Sequence, residues 1–288
     1  MIPDISTPPN RVVSLVPSLT ESLFDLGLGK VLVGITDYCV YPQEGVKGLP
    51  RVGGTKDPRV DDILALRPEL VLANREENTR LTVEALQAAG VRVWVTHPRT
   101  VREALEVLWG LVHIFHHPAA TQQIVVLEKA LAWAQLSTPH PLVRYFCPIW
   151  YEKVEGGRSW WMTFNADTYS HDVLRILGGD NIFAGRERRY PLEADIGEAL
   201  PEEAGDRDRR YPRVTSEEVL AGLPELILLP DEPFPFGEVH RRIVNELFAG
   251  MPAVEQGRVK LMDGSLITWH GTRLGRALRE LPGVLVEV

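Results

Sequence analysis

Short apolar runs alternate with helical patterns in two blocks of this chain, and one long helical stripe separates the blocks. In the first block Arg11–Val16, Val31–Thr36, Glu69–Ala73 and Val91–Thr96 read as strands. Ser18–Leu26, Val60–Leu66, Asn78–Ala89 and Thr100–Phe115 read as helices. Ser18 is placed to cap the first of these, with Glu21 at the capping-box position three residues on. Strand, helix and strand in strict order with brief links define parallel βαβ units. Between the blocks, Ala120, Ile124, Leu127, Leu131 and Ala134 recur at spacings of four and three within Ala119–Leu136, one face of a helix. Ser137–Pro141 ends it, since proline cannot continue the hydrogen-bond ladder. The second block carries strands Leu142–Ile149, Leu226–Leu229 and Val259–Met262. Its helices are Thr168–Leu177, Ser216–Ala221, His240–Phe248 and Arg273–Leu281. The expected fold class is therefore α/β: two doubly wound lobes, residues 1–117 and 139–288, joined by a single long helix over 118–138.

Composition narrows the function classes. The 288 residues are 44% hydrophobic and 24% charged, enough apolar side chain for a real core, which excludes disorder as the default. A net charge of −8 without a basic stripe argues against non-specific nucleic-acid binding. No stretch approaches about 18 consecutive apolar residues, so no transmembrane segment is expected. Met1–Asn10 lacks a basic and an apolar leader region. The expected location is extracytoplasmic, in the periplasm, if a signal has been removed, and cytoplasmic if Met1 is the native start. Two cysteines, Cys39 and Cys147, make no disulfide framework.

One internal repeat is present. Arg186-Glu-Arg-Arg-Tyr-Pro191 returns 21 residues later as Arg207-Asp-Arg-Arg-Tyr-Pro212, around an acidic stretch with Glu193, Asp195, Glu198, Glu202, Glu203 and Asp206. A solvated surface loop enlarged by partial duplication is the favoured reading, and a lid over a ligand the sharper alternative.

An ordered series of motifs then resembles the helical-backbone substrate-binding proteins of cobalamin, haem and iron-siderophore ABC importers. It runs Arg11-Val-Val-Ser-Leu-Val-Pro-Ser-Leu-Thr-Glu21, Val33-Gly34-Ile-Thr, Arg51-Val-Gly-Gly54, Ile63-Leu-Ala-Leu-Arg-Pro-Glu-Leu-Val-Leu-Ala73, Ala89-Gly90-Val, Leu177-Gly-Gly-Asp-Asn-Ile-Phe183 and Pro224-Glu-Leu-Ile227. It covers nearly the whole chain outside an insert at about 185–210. The resemblance implies two lobes bridged by one stiff helix, a ligand cleft between them and small opening motions. It implies a small-molecule metal chelate (cobalamin, haem or a ferric siderophore) as cargo, an importer permease as partner, no intrinsic cofactor, no enzyme activity and a monomer.

In an open α/β sheet, ligands bind beyond the carboxyl ends of the strands, where loops and helix N-termini converge. This singles out Tyr38 and Tyr41 in the loop 37–42 and Glu77 in the loop 74–78. In the second block the corresponding loops are expected to hold Trp150-Tyr151 and Trp160-Trp161, and the sites singled out are Trp160, Trp161, Tyr169, Trp269, His270 and Arg273. Aromatic faces suit a corrin, porphyrin or catecholate ring, and an arginine suits a phosphate or carboxylate; the alternatives are core packing for the rings and a helix-start role for Arg273. The resemblance implies one glutamate on each lobe for the permease. Glu217 matches in the second lobe, whereas Arg80 stands at the first-lobe position, with Glu76 and Glu84 as neighbours. His113, His116 and His117 share a helical face, but histidine at a helix C-terminus is favoured by the macrodipole alone. With Cys39, His97, His171 and His270 scattered, no protein-built metal site is expected. A cytosolic corrinoid- or chelate-binding protein and, further off, a tetrapyrrole metal chelatase using His270 with Glu76 or Glu77 are the alternatives. The chain has no GxSxG, P-loop, GxGxxG or HExxH motif.

Overall fold

Val12 and Val13, Leu70–Ala73 and Leu226–Leu229 have no polar face, the pattern of parallel strands covered on both sides, and all are buried. A computed structural model describes residue 3, residues 5–153 and residues 159–286; Met1, on which the expected compartment turns, lies outside the described residues. The chain divides into two compact units, Met1–Leu131 with Trp269–Arg276, and Ala132–Thr268 with Ala277–Val288.

The first unit holds strands β1 (Val12–Ser14), β2 (Leu32–Ile35), β3 (Leu70–Asn74) and β4 (Val93–Thr96). They form one parallel sheet in the order β2-β1-β3-β4. Val13, Leu15, Val52, Ile63, Val71 and Leu86 form a core cluster in this unit. The chain moves from β1 out to β2 and returns to β3 on the other side of β1. That reversal opens a crevice at the carboxyl ends of β1 and β3.

The second unit holds β5 (Val143–Phe146), β6 (Trp150–Lys153), β7 (Ser159–Met162), β8 (Gly179–Asn181), β9 (Arg213–Thr215), β10 (Leu226–Pro230) and β11 (Val259–Met262). A parallel sheet runs β11-β10-β5-β8, and its reversal falls between β5 and β10. Both units are thus α/β with parallel sheets, in line with the alternation in the sequence. The second unit adds a three-stranded antiparallel sheet, β6-β7-β9. Trp150-Tyr151 and Trp160-Trp161, expected in loops, lie in its strands. Aromatic residues favour a pleated, half-buried surface, and four residues per strand are too few to display an alternation.

The helix Thr121–Leu136 carries the chain from the first unit into the second, after a single 3₁₀ turn at Pro118–Ala120. Ile124 and Leu131 of its apolar stripe are buried, while Val126, Trp133 and Leu136 are exposed. The first helix, Pro17–Asp25, starts one residue before the expected cap. Proline's fixed φ fits the first helical position, so Val16 takes the cap position, Ser18 lies inside the helix, and Glu21 is released from capping. Among the described residues no helix is long and apolar enough to cross a membrane.

The insert is a largely exposed surface loop that is pinned near its ends. The buried Asp195 carboxylate accepts from the backbone N–H of Arg189 at 2.9 Å and of Arg213 at 2.8 Å, joining its two ends.

Candidate functional site

The segment Trp269–Arg276 belongs to the first unit, although its place in the chain assigns it to the residues 139–288. The reason is a set of contacts with the helix Pro17–Asp25 made across some 250 positions of sequence. Thr272 donates its N–H to Ser22 Oγ at 3.2 Å and its hydroxyl to Asp25 Oδ2 at 2.6 Å. Gly271, at φ +105°, has no room for a side chain, because a Cβ there would overlap Ser22 Oγ. A glycine is therefore required both by conformation and by the close approach.

Arg273 is the centre of this arrangement. Its guanidinium donates to both Glu21 carboxylate oxygens, at 2.7 and 2.5 Å, the bidentate geometry that arginine supports and lysine does not. The same group lies 4.8 Å from the Tyr41 ring centre and 4.5 Å from that of Trp269. The two rings meet edge to face at 5.9 Å and 70°. Arg273 is only 6% exposed, while Tyr41 is 40% exposed. The arginine expected to touch a ligand instead holds up the aromatic wall, and the rings carry the accessible surface.

Next to Trp269, His270 is buried. Asn74, the last residue of β3, has its carboxamide oriented because Oδ1 accepts the Glu76 N–H at 2.7 Å. Its Nδ2 therefore faces His270 Nε2 at 3.2 Å and donates to it. The imidazole accepts there and carries its proton on Nδ1. Burial pushes the His270 pKa down to about 4, so the ring is neutral at pH 7. It lies buried beside Trp269, tied to β3 through Asn74. On the same strand edge His97 Nε2 lies 3.6 Å from Glu76 Oε1. Cys39 is buried with Sγ 3.1 Å from the hydroxyls of Thr20 and Thr36, and burial raises its pKa. An inert thiol results.

Of the other expected residues, Tyr38 is 63% exposed in the Tyr41 loop but makes none of the wall's ring contacts. Glu77 follows Asn74 on the same edge. Trp161 is fully buried against Phe146, Tyr151, Phe236 and Phe248. It is core, because it points to the sheet face opposite Trp160. Trp160 is buried too, with the Arg213 guanidinium 5.7 Å from its ring. Tyr169 is the first residue of the helix Tyr169–Ile176 and is buried, which raises its hydroxyl pKa. These three rings are thus removed from the accessible wall, and His270 lies buried beside it.

Sequence reasoning missed Glu21, whose pairing partner lies 252 positions away. It also missed Phe234, which meets the expected Trp150 at 5.3 Å and 70° to make a second-unit aromatic face. Trp150 is 40% exposed, and Phe234 and Phe236 follow β10 at its carboxyl end. The signal was available in Phe234-Pro-Phe236 directly after a strand.

Glu217 is exposed at the N-terminus of the helix Ser216–Gly222, its carboxyl pKa lowered by the backbone N–H and the Thr215 side chain. Glu84 is paired with Arg80 at 2.6 Å in a surface i,i+4 contact, and Glu76 is engaged with His97. Among the described residues no group of three or more His, Cys, Asp or Glu side chains is arranged to hold a metal ion.

This architecture is that of a known class. The chain belongs to the periplasmic binding protein family, whose model matches residues 12–266. A vitamin B12-binding protein of Photorhabdus laumondii is 30% identical over 226 residues, 77% of this chain and 70% of that one. Among solved structures, the periplasmic vitamin B12 binding protein of Vibrio cholerae superposes with a TM-score of 0.73 at 22% identity, covering 97% of both chains. The periplasmic heme-binding protein of Roseiflexus sp. RS-1 gives 0.72 at 21% identity, covering 98% of this chain and 99% of its own. These likenesses show the fold; the relatives so named are binding proteins.

Proposed function

We propose that this protein is the extracytoplasmic receptor of an ABC importer and captures a metal chelate of the cobalamin, haem or ferric-siderophore kind. The observation that carries this reading is the Tyr41–Trp269 wall, held from behind by the Arg273–Glu21 pair at the carboxyl ends of the first sheet. Two rings at a fixed angle present a stiff apolar surface, which costs little ordering entropy when a flat macrocycle docks. Tyr38 and Glu77 flank it, and Trp150 with Phe234 offers the second unit's own aromatic surface. The family match and the vitamin B12-binding relative support the ligand class. The protein carries no cofactor of its own, performs no reaction on the chelate and acts as a monomer. Glu217 docks the permease through a rim ion pair, the kind of contact that fixes orientation.

Arg80, standing where the family resemblance implies a glutamate, favours a second reading, a chelate-binding protein that works without a permease. Titration of the purified protein with cyanocobalamin, haemin and a ferric catecholate siderophore, followed by tryptophan quenching and calorimetry, tests the receptor reading. Saturable binding at micromolar affinity or tighter to one of them is expected, weakened at least about tenfold by Trp269→Ala. No such binding to any of the three overturns it. Uptake of the bound chelate in cells, reduced by Glu217→Lys, separates the receptor from the permease-free alternative.

A further inference from the structure

The insert pairs most of its arginines internally. Arg186 meets Asp195 at 3.2 Å and Glu218 at 3.2 Å, Arg209 meets Glu187 at 3.0 Å, and Arg210 meets Asp208 at 2.5 Å. Arg207 lies 3.7 Å from Glu202. Arg188 differs. Among the described residues no carboxylate lies within ion-pair distance of it, and its buried Nε has no hydrogen-bond partner. Its guanidinium stacks on the Tyr190 ring at 4.5 Å, with Arg207 on the same ring at 4.2 Å. Arg213 shares this condition in part: its Nε is also buried without a partner, and its nearest carboxylate, Asp195, is 4.0 Å away.

The backbone brings the two together. Arg188 N–H donates to the carbonyl of Arg209, the equivalent position in the second copy of the repeat, at 2.9 Å. The N–H groups of Arg189 and Arg213 bind the two oxygens of one carboxylate, Asp195. Burial lowers the pKa of Arg213, the like charge of the neighbouring Arg188 lowers it further, and Asp195 partly opposes both. Apart from Asp195, 4.0 Å from Arg213, no carboxylate among the described residues lies within ion-pair distance of either guanidinium. Stacking on Tyr190 and Trp160 fixes the guanidinium planes and leaves their N–H edges as donors. Desolvated donors of this kind are costly unless an anion completes them. The insert leaves β8 at its carboxyl end, the edge at which an open parallel sheet takes ligands.

We propose that Arg188, in the first copy of the Arg-x-Arg-Arg-Tyr-Pro motif, and Arg213, directly after the second copy, form a subsite for a phosphate or carboxylate group carried by the ligand. It deepens the chelate-receptor reading and rests on it for the ligand, but the anion site itself is testable alone. Inorganic phosphate, against chloride at matched ionic strength, raises the melting temperature of the wild type saturably, and Arg188→Gln abolishes that saturable part. Two ligand pairs then identify the source of the anion. Cyanocobalamin against dicyanocobinamide differs by the nucleotide phosphodiester, and haemin against its dimethyl ester by two carboxylates. In one pair the wild type prefers the anionic member by about tenfold, and Arg188→Gln removes the preference.

Equal phosphate responses and unchanged preferences in wild type and Arg188→Gln overturn the proposal. A phosphate response lost in Arg188→Gln, with no chelate bound by either protein, keeps the subsite and rejects the receptor reading instead. Should circular dichroism show Arg188→Gln unfolded, Arg188→Lys is compared: it keeps the charge but not the fork, and about a threefold weaker phosphate response is expected. An unchanged response in that variant overturns the proposal.

Discussion

Trp269 in the first unit and Trp161 in the second are the same side chain put to opposite uses. Trp161 sits on the inward face of β7 and fills the space among Phe146, Tyr151, Phe236 and Phe248. Trp269 stands on a short segment laid over a helix, its ring face occupied by a guanidinium and its edge turned to Tyr41. Aromatic content alone therefore does not mark a binding surface. The surface proposed to bind is distinguished by a ring whose orientation is fixed by polar groups behind it.

The contrast is tested most severely at Trp161. Trp161→Ala should lower unfolding free energy by about 4 kcal/mol, read by chemical denaturation, because a fully buried indole leaves a large cavity. Trp269→Ala should instead cost stability little and binding much. A Trp161→Ala protein as stable as the wild type would place that ring outside the core.

Acid separates the two units next. His270 is neutral in the folded chain, with a pKa of about 4 against an ordinary value of 6.5, so the unfolded chain takes up the proton first. Stability is therefore complete above pH 6.5, falls as the pH drops toward 4 and levels off below that, a loss of up to about 3 kcal/mol. His270→Gln should flatten this limb in denaturation curves taken across pH 4 to 7. A limb equally steep in the variant would assign it to other groups, among them His171 in the second unit, whose pKa burial also lowers.

The support behind the wall comes third. Arg273→Ala leaves Glu21 without its bidentate partner and should destabilise by about 2 kcal/mol. It should also weaken chelate binding without having touched the chelate. Arg273→Lys should restore part of the stability and less of the binding, because an ammonium cannot hold both oxygens and both rings. Equal binding in wild type and Arg273→Ala would remove the supporting role. The smallest effect belongs to the surface: Arg80→Glu sets two carboxylates four residues apart with Glu84 and should cost about 0.3 kcal/mol by thermal melt. A larger loss would mean that the Arg80–Glu84 pair does more than cover a helix face.

Much of the fold was legible because its signals are local. Leu70–Ala73 and Leu226–Leu229 are continuous apolar runs bounded by turn residues, and both are buried central strands. Ile124 and Leu131 kept their predicted helical spacing, and Thr100 with Glu103 forms a capping box at the start of Val101–Ile114. Half of the candidate site was legible for the same reason, since Tyr41 lies in the loop after β2 and Trp269 lies beyond the last strand, Val259–Met262. The remainder depends on contacts that no window of sequence contains. Glu21 carried a sound local reading as a capping residue, yet a carboxylate with a guanidinium in bidentate reach pairs with it, and that partner is 252 positions distant. Trp160 and Trp161 could not be sorted by composition; the pleat decides which ring faces the core, and only the register with β6 and β9 sets the pleat.

The return of Trp269–Arg276 to the first unit has a consequence for synthesis on the ribosome. Residues up to Leu131 emerge first and can pair their strands, but the piece that presents Trp269 follows only after every strand of the second unit has been made. A polypeptide that stops short of Trp269 can possess a complete first sheet and still lack one ring of the wall proposed to take the ligand.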